Sequence, residues 1–294
     1  MFDFREIYRA SDVKDAIRAL HQMEGSILIS GGSDVLIKVR EGKLAGCTLV
    51  SINDLQELTG IVMEEDGTIK IGPGETFTRI AEHPLIQRHI PVLGHGVDQA
   101  GGPQLRNVAT IGGNVCNGVT SADSASALLV LGAQLEITGR DGIRTLPLEQ
   151  FYKGPGRVDL NRGEVLTAIR ISPKDYQGFG GHYIKYAQRN AMDIATLGCA
   201  VSLRLEEDRQ TIADYRLAFG VAAPTPTRCR KTEAAVIGRP VSSRLLEEIG
   251  ELALGEVSPR TSWRASKEFR QRLVCELSGR ATAQAVKYAG GEPL

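Results

Sequence analysis

The chain has 294 residues, longer than the usual single domain, and its 42% hydrophobic and 24% charged content fits a folded globular protein and excludes a disordered or fibrous one. Lys plus Arg and Asp plus Glu both number 35, so the formal net charge is zero and nothing recommends a nucleic acid or an anionic membrane as partner. The five cysteines are scattered, with no CxxC pair or Cys/His cluster, so they offer this chain neither an iron–sulfur nor a structural zinc site and read as reduced thiols.

The opening stretch MFDFREIYRASD has no apolar core of signal-peptide length, and no window approaches a membrane span, so a cytoplasmic protein is expected. Ser11 is placed to cap a helix whose apolar positions Val13, Ala16, Ile17 and Leu20 recur at helical spacing. A short apolar strand at 27–29, a helical piece at 34–39 and a strand at 48–52 complete a small β-α-β-like unit. Between 61 and 72, Asp66-Gly67 joins two short strands as a hairpin. Residues 76–90 read as a helix interrupted by Pro84, and 121–131 as another helix. Strands at 133–138 and 143–148 flank the Arg140-Asp141-Gly142 turn, and 165–171 is a further strand. Residues 173–181 read as a linker. Longer strands follow at 182–188, 197–205 and 212–221, then a turn at 223–227 and mostly helix. The last helix, about 262–289, is expected to be interrupted at Ser278-Gly279.

Two glycine-rich polar segments stand out. Ser30-Gly31-Gly32-Ser33-Asp34 joins the first strand to its helix, where free backbone N–H groups make a phosphate cradle. It lacks both the spaced glycines of a Rossmann turn and the Lys of a Walker loop. Residues 106–129 hold a Thr-Ile-Gly-Gly-Asn corner in which Gly112 and Gly113 permit close approach to the main chain. Thr110, Asn114, Asn117, Thr120 and Ser121 supply donors and acceptors there, bare amides suit a phosphate, and Asp123 closes the segment. Each loop on its own is equally a tight surface turn. Catalytic side chains are scarce: there is no GxSxG elbow, and the five histidines show no metal spacing. His83 and His89 read as surface groups, and Glu64-Glu65 and Glu247-Glu248 as solvated faces. Such a chain suits a bound cofactor that carries the reaction, its pyrophosphate lying between two subdomains.

Residues 28–36, LISGGSDVL, residues 107–114, NVATIGGN, and residues 259–270, PRTSWRASKEFR, occur in the order found in one family. The chain resembles the FAD-binding medium subunit of the molybdenum hydroxylases, and within it the bacterial xanthine dehydrogenase type, from Met1 to about Val286. The resemblance implies an α+β fold. A two-subdomain FAD-binding domain of the PCMH/vanillyl-alcohol-oxidase type (1–56 and 57–176) would precede a smaller α/β domain like the CO dehydrogenase flavoprotein C-terminal domain (180–294). It further implies that the backbone of Ile29, Ser30, Gly31, Gly32, Ser33, Asp34 and Val35 wraps the FAD pyrophosphate. Thr110, Gly113, Asn114, Asn117 and Asp123 would hold the ribityl and pyrophosphate part, Val165 and Leu166 would pack on the adenine or ring system, and Lys185 would lie within reach of the cofactor. Asp193 would belong to a mobile loop by the flavin face where nicotinamide approaches, and no side chain would act as a catalytic nucleophile.

By the same resemblance, iron–sulfur clusters on one partner subunit deliver electrons to FAD, NAD+ accepts them, and a second partner bearing the molybdenum cofactor hydroxylates a purine. The assembly is a heterotrimer, single or doubled. An N-heterocycle or aldehyde as substrate stays open, as do a stand-alone flavoprotein oxidoreductase and a non-enzymatic nucleotide-binding scaffold. Animal relatives carry an aromatic residue where Ala100 stands here, which implies a more open flavin face. The cysteine-rich insertion of relatives that reduce aromatic thioesters is missing. Lys267, Arg270 and Arg272, beside Trp263 and Phe269, fit either a helix packed on its own domain or a docking surface.

Overall fold

The computed structural model describes residues 2–292. The chain begins with β1 (Phe4–Arg9), α1 (Val13–Gln22), β2 (Ser26–Ile29), α2 (Val35–Arg40) and β3 (Cys47–Ser51). These strands form a parallel sheet in the order β1-β3-β2, with Leu49 and Val50 of the central strand fully buried. Helix α1 buries Val13, Ala16, Ile17 and Leu20, the face expected from their spacing. Its cap is Asp12, which accepts from the backbone N–H of Asp15 at 2.7 Å, and not Ser11 as expected. The Ser11 backbone N–H donates to the Asp15 carboxylate at 2.9 Å, so the next residue is left to cap. Strand β1 has no periodic apolar face, and parallel pairing along its length with β3 holds it.

Strands β4 (Ile61–Met63) and β5 (Ile69–Ile71) form the expected hairpin. Six short helices follow: α3 (Phe77–Glu82), α4 (Pro84–His89), α5 (Pro91–Asp98), α6 (Pro103–Arg106), α7 (Ile111–Cys116) and α8 (Ala125–Val130). The single interrupted helix expected over 76–90 is two helices, because His83 before Pro84 takes an extended conformation and starts α4 as its cap. Proline also opens α5 and α6, where its missing N–H costs no hydrogen bond. Then come β6 (Gln134–Gly139), β7 (Gly142–Pro147), α9 (Leu148–Phe151), the small hairpin β8 (Tyr152–Gly154) with β9 (Arg157–Val158), and β10 (Val165–Ile171). The resulting five-stranded antiparallel sheet runs β4-β5-β10-β6-β7.

The presumed linker is a packed junction: a helical turn at Pro173–Asp175 is followed by buried Tyr176, whose hydroxyl donates to the Gly67 carbonyl at 2.6 Å. Strands β11 (Gly180–Tyr186), β12 (Leu197–Leu205), β13 (Ile212–Gly220) and β14 (Thr227–Arg228) make a second antiparallel sheet. It is backed by α10 (Arg230–Val236), α11 (Ser243–Leu254) and α12 (Lys267–Tyr288). The expected break at Ser278-Gly279 does not occur, and α12 runs through it. Ser278 Oγ donates within the helix to the Val274 carbonyl, and a Cβ at Gly279 would sit 3.2 Å from the Leu246 carbonyl oxygen of α11. The glycine thus serves close helix contact rather than termination. Arg270 of α12 is buried and donates to the carbonyls of Thr196 and Arg260 and to Ser262 Oγ, so it braces its own domain and leaves the set proposed for docking. Among the described residues no helix is long and apolar enough to cross a membrane.

The largest hydrophobic core spans the five-stranded sheet, the short helices, and Tyr183, Ala200 and Ala218 of the second antiparallel sheet. Polar contacts reinforce the junction. Arg216 of β13 donates to the Val130 carbonyl at 3.2 Å, pairs with Asp175 at 2.9 Å and lies over the Phe179 ring.

Candidate functional site

A cleft of about 750 Å³ opens where the parallel sheet, the short helices and the edge of the last sheet meet. Its first wall is the segment from Ser30 to Val35, between β2 and α2. Among the described residues, the backbone N–H groups of Ser30 to Val35 donate to no protein acceptor. Ser30 Oγ is also buried there without a partner. Free N–H donors between a strand and a helix N-terminus, beside a cleft, are suited to bind a ligand's anionic oxygens. Gly31 explains how this loop stays in place: a Cβ there would lie 1.7 Å from the Val108 carbonyl oxygen, so the two glycine segments touch backbone to backbone. Ile29 does not line the cleft; its carbonyl accepts from Ile52 N–H at 2.9 Å and closes the strand pairing behind the loop.

The second wall is α7 and the segment after it. The Thr110 hydroxyl caps this helix, accepting from Gly113 N–H at 3.2 Å. Gly112 N–H donates to the Pro73 carbonyl and Asn114 N–H to the Thr110 carbonyl. The amides expected to be bare at this corner are therefore satisfied by the helix cap and by the chain at Pro73, and the free ones belong to the first loop. This wall offers side chains instead. Asn114 Oδ1 accepts from Ser124 Oγ at 2.6 Å, and Asn117 Oδ1 accepts from the Lys38 ammonium at 2.7 Å. Both bonds use the carboxamide oxygen and orient the NH₂ groups as remaining donors. Gly113 is open: the nearest atom to an added Cβ is Thr110 Oγ1 at 3.0 Å.

Asp123 sits at the inner end. Its carboxylate accepts from the Tyr183 hydroxyl at 3.1 Å and from the Lys185 ammonium at 3.0 Å. Burial pushes the Asp123 carboxyl above the usual carboxylate range, against the pull of Lys185 and Tyr183. Lys185, expected near the cofactor, does not line the cleft. Its ammonium is spent on Asp123 and on the carbonyls of Gln99 and Asp193, both at 2.9 Å. It is a clamp that ties three segments together behind the surface.

Val165 and Leu166, at the start of β10, give an apolar floor, and Ala100 lines the same space. Met192, Asp193 and Ile194 form the outer edge. The Asp193 carboxylate turns into its own loop, accepting from the N–H groups of Arg189 at 3.0 Å and Ile194 at 2.8 Å, while Met192 takes a left-handed backbone conformation. Ser30 to Val35, Thr110, Gly113, Asn114, Asn117, Asp123, Val165, Leu166 and Asp193 are thus brought to one cleft, and Ile29 and Lys185 stand just behind it. Sequence reasoning misses Lys38, the turn from Leu160 to Glu164, and the exposed Met192 and Ile194. The spacing of Lys38 one helical turn after Asp34 is the only local signal it carries.

Residues 2–174 match the model of the FAD binding domain in molybdopterin dehydrogenase, and residues 182–285 match that of the CO dehydrogenase flavoprotein C-terminal domain. A putative xanthine dehydrogenase FAD-binding subunit of Escherichia coli is 45% identical over 292 residues, covering 99% of both chains. The nicotinate dehydrogenase FAD-subunit of Eubacterium barkeri is 29% identical over 252 residues, 84% of each chain. Among solved structures, a carbon monoxide dehydrogenase chain from Hydrogenophaga pseudoflava superposes with a TM-score of 0.93 at 26% identity, over 98% of this chain and 99% of that one.

Proposed function

The chain belongs to the FAD-binding medium subunits of the molybdopterin-dependent hydroxylases, and from that premise we propose that it is the electron-exit subunit of a xanthine dehydrogenase-type complex. In this reading a partner subunit's iron–sulfur clusters feed FAD in this chain, NAD+ takes the electrons, and a molybdenum-cofactor subunit hydroxylates a purine. The complex is a heterotrimer, single or doubled, in the cytoplasm. Identity of 45% along the whole chain to a xanthine dehydrogenase FAD-binding subunit favours the purine branch over relatives named for nicotinate or carbon monoxide, which stand at 27–29%.

The residues of the cleft fit the cofactor. Bare N–H groups of Ser30 to Val35 and the unpartnered Ser30 Oγ suit the diphosphate of a dinucleotide. Thr110, Gly113, Asn114 and Asn117 would hold the ribityl and diphosphate part, with Val165 and Leu166 against a ring. Asp123, fixed by Tyr183 and Lys185, presents a carboxylate that can accept only from hydroxyl or N–H donors. Bound FAD supplies the exchange between single-electron arrivals and hydride transfer to nicotinamide. The chain's own work is placement: it orients the cofactor, excludes water with its apolar floor, and leaves the Asp193 loop as the side from which nicotinamide approaches.

The bare amides of the first loop carry the cofactor assignment. The test is the visible spectrum of the purified chain, followed by NADH without oxygen. A flavin spectrum that bleaches is expected. A flavin that stays oxidised would remove the NAD+ assignment, and a colourless protein that takes up no added FAD would overturn the reading altogether.

A further inference from the structure

We infer that Lys38 is the cation that meets the diphosphate of the bound dinucleotide, an assignment that rests on the FAD reading of the cleft. Lys38 lies on α2, its N–H bonded to the Asp34 carbonyl at 3.1 Å, so it stands one helical turn, about 5 Å, beyond the loop of bare amides. The residue is half-buried on the cleft, and its ammonium donates to Asn117 Oδ1 at 2.7 Å, from the opposite wall. No carboxylate lies within ion-pair distance of it among the described residues.

Of the other charges of the cleft, the Asp34 carboxylate is exposed to solvent and the rest are spoken for. Asp123 is held by Lys185 at 3.0 Å, Glu164 by Arg144 at 2.8 Å and Asp193 by Arg189 at 3.6 Å. Arg162 directs its guanidinium at the carbonyls of Leu20 and Met23. Lys38 is different: it gives up part of its hydration and gains only a neutral carboxamide. That arrangement is unfavourable for an ammonium unless an anion completes it. A diphosphate that accepts from the amides of Ser30 to Val35 has two charges to offer, and two of the three ammonium protons remain to meet them. The sequence reading finds no Walker-type lysine because this one comes after the glycine loop, inside the helix, and not at its last position.

The test uses the full chain stripped of FAD, with Lys38→Met, Lys38→Gln and Lys38→Arg variants titrated with FAD at low and high ionic strength. Lys38→Gln keeps a donor for Asn117 and removes only the charge. FAD affinity should fall about ten- to hundredfold in the Met and Gln variants, the size of one charge-assisted hydrogen bond. Most of it should return in Lys38→Arg, and the salt dependence of binding should flatten in the uncharged variants. Sulfite, which adds to the oxidised flavin ring and responds to charge beside it, should bind the FAD-loaded variants as it binds wild type. Unchanged FAD affinity would overturn the assignment. So would a loss that is equal at both salt levels and not restored by Arg, which marks a structural role, or an altered sulfite affinity, which puts Lys38 at the ring. Should Lys38→Met fail to fold, Lys38→Gln carries the comparison. A wild-type chain that binds no FAD fails the cofactor reading itself, a result distinct from all of these.

Discussion

Gly31 and Gly113 look alike in sequence, yet one missing Cβ serves two different ends. At Gly31 the space is taken by protein: an added Cβ would fall 1.7 Å from the Val108 carbonyl oxygen, and backbone cannot move aside cheaply. Gly31→Ala should therefore force the two loops apart and cost about 1–3 kcal/mol or more, the range for overpacking. The expected outcome is a melting temperature lower by several degrees together with loss of FAD. At Gly113 an added Cβ meets only the Thr110 hydroxyl at 3.0 Å, and the rest of a larger side chain would stand in the cleft. Gly113→Val should keep the fold, melting within a few degrees of wild type, and lose FAD. Melting curves and flavin content of both variants decide the matter, and full FAD retention by Gly113→Val would remove α7 from the cofactor site. The glycines are legible in sequence because each belongs to a Gly-Gly pair set among small polar residues. What Gly31 makes room for is not, since its neighbour Val108 lies in a distant segment of the chain. Lys38 escapes notice for the same reason: its partner Asn117 is 79 residues away.

Elements defined by local rules were the readable ones. The hairpins at Asp66-Gly67 and Arg140-Asp141-Gly142 are turn chemistry between alternating strands, and both are present. Strand β1 goes unassigned in sequence and a break is wrongly expected in α12, because parallel pairing with β3 and contact with Leu246 are tertiary facts that no window contains. The Arg189-to-Ile194 loop is a further case. Its shape is set by Asp193, which braces its turn, and by Lys185, which holds the Asp193 carbonyl from β11. Asp193→Ala should loosen the cleft edge and slow reduction by NADH while FAD content stays near that of wild type. Rapid-mixing kinetics under anaerobic conditions give that rate, and an unchanged rate would count against a nicotinamide-side role. Two other elements are tied by acid-sensitive carboxylates. Asp15 is held at about 2, below its ordinary 3.8, chiefly by the Ser11 backbone N–H at the start of α1. Glu164 is also held at about 2, below 4.5, chiefly by Arg144 of β7. Both folded-state values are depressed, so their stabilisation is complete above the unfolded values and is lost as pH falls from about 4.5 towards 2. Urea midpoints measured across that range should decline, and an Asp15→Asn, Glu164→Gln double variant should decline less steeply.

The molecule as a whole places its cleft where three separately built units meet, so the site depends on how firmly the last unit is held. Apolar contact supplies part of that hold, through the core that Tyr183, Ala200 and Ala218 share with the short helices. Arg216 supplies a directional part, with its guanidinium shared among Asp175 at 2.9 Å, Asp214 at 3.4 Å and the Val130 carbonyl, and its Cζ over the Phe179 ring at 4.7 Å. Its side chain is 9% exposed and that of Asp175 13%, so removing the arginine strands a largely buried carboxylate. The cost of such a stranding is on the order of 3 kcal/mol. Arg244 is the useful contrast: it pairs with Glu248 on α11 at 2.9 Å, but its side chain is 88% exposed and water screens the pair. Arg216→Met should lower the melting temperature by several degrees, and Arg244→Met should leave it unchanged. Because Met192 to Ile194 reach the cleft from the last unit, Arg216→Met should also speed amide hydrogen exchange in that loop and at the 173–181 junction, with β5 and β10 unaffected. Faster exchange confined to β13 would mean that the arginine stabilises only its own sheet, and the dependence of the cleft on this clasp would have to be given up.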